Sequence, residues 1–338
     1  MTFVDEVKSA VTVRAALLVI GVLGLMVAFI TSYAGAFHHP KPKDIPFALV
    51  APAQISGQLA QQLGALPGNP LDVRTAKDEA DATRQLRDRR VDGVLVVDPR
   101  GTTDKLLVAS GGGASLAQAV EAIATGAEQA QRRTVKVIDV APASAGDSRT
   151  LSSFYLVVGW CVGGYLCAAI LAISAGARPA NTHRALIRLA ALAAYAIAAG
   201  LLGSLIIGPV LGALPGSYLG LAGLGALVVF AVGATTLAFQ GLAGVVGIGL
   251  AILVIVVLGN PSAGGAYPYP LLPPFWRTIG PGLPPGAGTW AARSIAYFKG
   301  ESISGPLQVL SIWALLGAVV TVVLAGLNRD RGEKPVGA

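Results

Sequence analysis

Residues 189–258 read LAALAAYAIAAGLLGSLIIGPVLGALPGSYLGLAGLGALVVFAVGATTLAFQGLAGVVGIGLAILVIVVL, and nowhere between Arg188 and Arg277 is there an Asp, Glu, Lys, Arg or His. A soluble domain devotes about a quarter of its residues to charge. A bilayer core of about 30 Å, in contrast, asks for roughly 20 apolar residues per helix. The stretch therefore reads as three membrane spans, at about residues 189–211, 218–239 and 242–258. Between the last two, Gly233-Ala-Thr-Thr-Leu-Ala-Phe-Gln-Gly241 is the only candidate turn, and it is weakly polar.

Outward from this core, residues 15–36, 151–175 and 307–327 supply three more apolar runs, making six spans in all. Over 338 residues, 54% are hydrophobic and only 13% charged, which excludes a wholly soluble or a disordered chain. The charge is concentrated: residues 38–150 hold 14 of the 25 Lys/Arg and 13 of the 18 Asp/Glu. The expected fold is a mainly α-helical polytopic membrane protein. Residues 1–37 form a cytoplasmic N-terminus and helix 1, residues 38–150 an extracytoplasmic α/β domain, and residues 151–338 a five-helix domain with a Pro/aromatic outer loop at 259–306.

Cations flanking spans set orientation. Lys8 and Arg14 precede the first span, Arg178, Arg184 and Arg188 lie between the second and third, and Arg329, Arg331 and Lys334 follow the sixth. An even span count puts all three clusters on one side, the cytoplasm, together with both termini. The net charge of +7 is then a topology signal rather than a nucleic-acid footprint. Ala34-Gly-Ala36 imitates a signal-peptidase site, but its apolar run of about 22 residues exceeds the 7–15 of a signal segment, so helix 1 is read as retained.

Within the insert, strands are expected at residues 46–50, 71–75, 91–97, 106–110 and 135–140. Helices are expected at 55–63, 78–90 and 116–130, the alternation of a small mixed α/β domain. Gly111-Gly-Gly113 lacks the spacing of a phosphate loop and reads as a strand-to-helix turn. The insert shows no catalytic constellation. Adjacent side chains on an extended segment point opposite ways, so His38-His39-Pro40 is a juxtamembrane linker rather than a metal site.

Intramembrane carboxylates, histidines and basic residues mark ion relays and cost roughly 2.5–3.5 kcal/mol each on insertion scales. None of the six spans carries one, and no Ser/His or Ser/Lys pair is available there for nucleophilic activation. A pump, an intramembrane protease and other enzymes are disfavoured, and neither catalytic residues, cofactor nor metal is expected. Cys161 and Cys167, six residues apart on one helix, are about 240° apart around it and cannot pair. The spans are rich in glycine: Gly159/Gly163, Gly208/Gly212, Gly216/Gly220, and Gly241, Gly244, Gly247 and Gly249. Small residues at such spacing let helices approach closely, within one chain or across a dimer.

Two connectors stand out. Residues 176–188 contain a helix start at Asn181 or Thr182, after which apolar residues interleave with Arg184 and Arg188 as in a short interfacial helix. The outer loop carries Tyr267, Tyr269, Phe275 and Trp276, suited to headgroup depth. Its second piece, residues 288–300, reads as an amphipathic helix lying on the outer leaflet.

The layout of one span, an extracytoplasmic α/β insert and five further spans resembles the type-2 ABC exporter permeases, especially the YhgE/Pip-like branch. The most specific likeness runs from Leu258-Gly-Asn-Pro-Ser-Ala-Gly-Gly265 through Leu272-Pro-Pro-Phe275, Leu283-Pro284, Trp290 and Arg293 to Tyr297-Phe-Lys-Gly300. Phe47-Ala-Leu-Val50 and Val94-Leu-Val-Val-Asp-Pro99 in the insert share it. The resemblance implies a transmembrane half-transporter in the bacterial cytoplasmic membrane, a homodimer or paired permease in contact with membrane lipid. It would work with a separate ABC ATPase subunit, since this chain has no Walker motif. In such families the loop after the second span docks on the ATPase, which maps onto Arg178, Asn181, His183, Arg184 and Arg188. The outer loop or gate maps onto Asn260, Pro261, Pro273, Pro274, Phe275, Trp276, Arg277, Trp290, Arg293, Tyr297 and Phe298. The expected function is outward movement of an amphiphilic or lipid-like compound. The rival expectation is a non-transporting receptor or assembly scaffold displaying the 38–150 domain.

Overall fold

The computed structural model describes residues 12–332. Of the cations used for orientation, Lys8 and Lys334 lie outside the described residues, as do the side chains of Arg14, Arg329 and Arg331.

Helix α1 (Val13–Phe37) starts at Thr12, whose hydroxyl accepts a hydrogen bond from the Ala15 N–H at 3.1 Å. Leu17, Val19, Ile20, Val22 and Leu23 are all more than half exposed. An apolar rod bare on so many sides needs hydrocarbon around it, because hydration of such surface costs about 25 cal/mol per Å².

The chain then builds a five-stranded sheet from β1 (Ile45–Val50), β2 (Leu71–Thr75), β3 (Gly93–Val96), β4 (Thr103–Val108) and β5 (Thr134–Asp139), in the order β2-β1-β3-β4-β5. Pairing is parallel except for β3 with β4, where the connection is a short turn rather than a helix. Alternation sends Ile45, Phe47 and Leu49 to one face, where α2 (Ala53–Gly64) and α4 (Ala114–Ala130) cover them through Leu63, Leu116 and Val120. Ala48, Val94 and Leu107 face the other way, onto Ala82 and Leu86 of α3 (Glu79–Arg87). Asp78 caps α3 by accepting from Asp81 N–H at 2.7 Å. The expected strands and helices of the insert are all present, with β2 matching end to end.

Among the described residues five helices are long and apolar enough to cross a membrane. They are α1, α5 (Ser152–Ala175), α6 (Thr182–Leu205) with a π-helical turn at Ile206–Val210, α7 (Tyr218–Ala243) and α11 (Ser304–Gly332). The π turn absorbs Pro209, which offers no N–H to an α-helical ladder. At the centre stands α7, and its neighbours press on it where side chains are missing. A Cβ on Gly200 of α6 would meet the Ala222 carbonyl oxygen at 2.2 Å; one on Gly164 of α5 would meet that of Val229 at 2.7 Å. One on Gly317 of α11 would meet the Thr235 nitrogen at 2.5 Å. Of the glycines singled out by spacing, Gly163, Gly216 and Gly247 sit in comparably tight places, whereas Gly159, Gly212 and Gly244 have open space.

Three sequence expectations need correction. The Gly233–Gly241 stretch is not a turn: α7 runs through it. Its polar residues are buried and bonded across or along helices, with Gln240 Nε2 donating to the Ala168 carbonyl and Thr236 to Val232. The chain reverses at Gly244, whose φ of +60° favours glycine. Secondly, the segment expected to span at residues 242–258 becomes α8 (Val246–Ala251) continued as a π-helix (Ile252–Gly259), an apolar helix of 14 residues in all. Fourteen residues of α-helix rise only about 21 Å. Thirdly, residues 288–300 do not lie on a leaflet. Helix α10 (Pro284–Tyr297) is buried from Pro284 through Thr289 and again from Ala291 to Ser294. Its small residues permit this, since Gly288 sits against Val157 and Val228.

The sheet domain joins α5 at its N-terminus, and residues 176–181 follow its C-terminus, so the two features lie at opposite ends of a 24-residue helix. That helix is about 36 Å long.

Candidate functional site

At the sheet-domain end two arginines lock the domain to the helices. Arg89 lies just past α3 in the left-handed backbone region, φ +58°. It donates to the Trp290 carbonyl at 2.9 Å and to Ser294 Oγ at 2.8 Å, and its guanidinium lies 3.5 Å from the Trp290 ring centroid and 5.0 Å from that of Phe298. Arg293, 3% exposed, donates to the carbonyls of Gly264, Gly265 and Thr150 at 2.7, 2.7 and 3.0 Å. It thereby ties α10 to the loop after the π-helix and to the residue before α5. Burial pushes both guanidinium groups down, Arg89 to about 9 with a further push from Arg293, and Arg293 to about 10 against the opposing pull of Tyr269 and Asp147.

Around them, Tyr297 donates to Asp147 Oδ2 at 2.9 Å, and Tyr269 stacks on Trp290 with centroids 6.0 Å apart. Leu271 reaches into the sheet-domain core, and Tyr267 packs against it. Tyr267 and Tyr269, expected at headgroup depth, belong to this junction. Asp92 lines two small cavities of 20 and 30 Å³ there; burial raises its carboxyl to about 6 despite the opposing pull of Arg89 and Arg277.

The residues proposed as an outer gate thus separate into three groups. Trp290, Arg293, Tyr297 and Phe298 meet at the junction. Pro273, Pro274, Phe275, Trp276 and Arg277 lie on or just before α9 (Pro274–Ile279), which meets the end of α1 through Trp276. Trp276 donates to Ser32 Oγ at 3.2 Å and lies over Gly35, where a Cβ would come within 2.8 Å of the ring. Asn260 and Pro261 are buried in the turn leaving the π-helix. Arg89, Asp92 and Asp147 were not flagged by sequence, because nothing local distinguishes them from surface charge.

At the opposite end the coupling candidates also divide. Asn181 caps α6 by accepting from Arg184 N–H at 3.0 Å. Arg188, 6% exposed, donates to the carbonyls of Ala175 and Gly176 at 2.7 and 2.8 Å, closing the C-terminus of α5. Arg178 donates to the Leu242 carbonyl near the end of α7 at 3.1 Å. Both act on orphan carbonyls, where a cation also suits the helix dipole. Arg178, His183 and Arg184 of this set stand exposed, Arg178 with its guanidinium engaged by the Leu242 carbonyl. The expected interfacial helix is not a separate element, since residues 184–188 are the first turns of α6.

Elsewhere, Arg133 bridges two carboxyls of the sheet domain, 2.6 Å from Asp104 and 3.5 Å from Glu128. Among the described residues no group of three or more His, Cys, Asp or Glu is placed to hold a metal. No family model, curated protein or solved structure matches this chain.

Proposed function

We propose that this chain is the transmembrane permease subunit of an ABC-type exporter of the YhgE/Pip-like kind, moving an amphiphilic or lipid-like compound outward with a separate ATPase. The observation that carries the reading is the two-ended arrangement. A folded domain is locked at one end of α5, and an exposed His183–Arg184 pair stands at the other. Between them the helices offer buried polar groups but, among the described residues, no ionisable relay. Ionisable groups are the usual relays for proton coupling, and a bundle that lacks them suits a driving subunit that binds from outside the bilayer. Residues 246–259 run from the Gly244 reversal to the turn that Arg293 holds at the sheet-domain end. This fits a sixth, shortened crossing, with both termini on the His183–Arg184 side. A homodimer or paired permease would complete the transporter.

The test is purification of the full chain from its native membrane, followed by ATPase assay of what accompanies it. The expected result is a P-loop ATPase whose turnover falls several-fold with Arg184→Glu at unchanged thermal stability. A chain that carries no nucleotide-hydrolysing protein, or an ATPase indifferent to Arg184, contradicts the reading. One observation favours the receptor or scaffold alternative: rigid docking through Arg89 and Arg293 would also suit a domain that reports binding across the membrane. Under that alternative, deleting residues 38–150 abolishes partner binding, whereas a permease retains it.

A further inference from the structure

We propose that the groove between the segment that follows α1, residues 39–44, and helix α9 binds the phosphate diester of an anionic lipid in the leaflet on the sheet-domain side. The site asks only that α1 be in a membrane and does not depend on the transport reading.

Depth comes first. The exposed apolar flank of α1 needs hydrocarbon, and the helix ends at Phe37, so the residues just beyond it stand at headgroup level. Phe275, 53% exposed, and Trp276, bonded to Ser32 of α1, sit at the same level, the depth at which aromatic side chains collect.

At this depth opens a groove of 620 Å³ walled by His39, Lys41, Lys43, Pro273 and Arg277 among others. That size falls within the roughly 300–1,000 Å³ of small-molecule sites. Lys41, Lys43 and Arg277 face a single carboxylate, Asp44, which lies 3.7 Å from Arg277. Neither lysine makes an ion pair among the described residues, so positive charge is left over. Arg277 is not free to swing away: it donates to the carbonyls of Lys43 at 2.8 Å and Asp44 at 3.4 Å. A guanidinium has five N–H donors in a fixed fork, and those not spent on the carbonyls can meet the two unesterified oxygens of a diester. The lysines add point charges, and the acyl chains continue into the hydrocarbon beside α1. A zwitterionic headgroup would bring its own cation into this positive field and bind less well.

The test uses the full chain in detergent, titrated with dihexanoyl phosphatidylglycerol, dihexanoyl phosphatidylcholine and inorganic phosphate by calorimetry. The expected result is at least tenfold tighter binding of the glycerol lipid than of the choline lipid. Lys41→Gln/Lys43→Gln should weaken the former tenfold or more without moving the melting temperature. Lys41→Gln alone should act in the same direction, which guards against a folding defect in the double variant. Equal binding of the two lipids, or indifference to both variants, overturns the proposal. Inorganic phosphate binding as tightly as the glycerol lipid assigns the groove to the free ion and overturns the lipid.

Discussion

The Arg89 guanidinium of the sheet domain lies 3.5 Å from the centroid of the Trp290 ring, 201 residues further along the chain, while donating to that residue's carbonyl. Cation–π stacking with desolvation contributes about 2 kcal/mol. Hydrogen bonds to a charged group contribute about 1.5–3 kcal/mol. Arg89→Ala should therefore loosen the junction. Limited proteolysis at residues 38–150 should speed up at least tenfold, with a lower melting temperature; Arg89→Lys, which cannot reproduce the fork, should recover only part.

Arg188 and Arg184 should behave as opposites although one helical turn apart. Arg188→Ala leaves the Ala175 and Gly176 carbonyls without their donor, and a cost of roughly 1–3 kcal/mol should appear as a lower melting temperature in detergent. Arg184→Ala should leave melting unchanged.

Gly200→Val should fail to pack. Its Cβ would lie 2.2 Å from the Ala222 carbonyl oxygen on α7, and relieving the clash costs about 1–3 kcal/mol. Gly223→Ala, which meets nothing within 4 Å, is the control and should be near neutral in the same thermal assay.

The sheet domain should lose stability as pH rises toward neutral. Burial, with Asp104 adjacent, lifts the Glu128 carboxyl from 4.5 to about 7. A carboxyl with a raised folded pKa favours folding while protonated, so its contribution is complete below 4.5 and is gone above about 7. Asp104 acts the other way: hydrogen bonds from Arg133 and the Asp98 N–H overcome its burial and lower its pKa. Its contribution is present above 3.8 and lost below. Chemical denaturation of the full chain should show stability falling between about pH 4.5 and 7 by roughly 1–3 kcal/mol. Glu128→Gln should flatten that slope.

What the sequence disclosed followed from local physics. Period-two alternation marked residues 71–75 as a strand, Asp78 and Asn181 declared the helix starts they cap, and the absence of charge between Arg188 and Arg277 announced the bundle. The polarity of Thr235, Thr236 and Gln240 was ambiguous, because a turn and a buried interhelical hydrogen bond require the same residue types. The shortness of the 246–259 helix was hidden as well, since an apolar run gives no sign of where Gly244 will reverse it. The junction was least legible of all. Arg293 finds its carbonyls 28, 29 and 143 residues away, and Arg89 reads locally as one more surface cation after a polar helix.

The central claim is that the sheet domain and the His183–Arg184 end face opposite sides of one membrane. It is tested most directly by impermeant maleimide labelling of intact cells, in a Cys161→Ser/Cys167→Ser background carrying either Lys136→Cys or Arg184→Cys. The account predicts that Lys136→Cys is labelled from outside and Arg184→Cys only after lysis. Labelling of both in intact cells, or of Arg184→Cys alone, would contradict it.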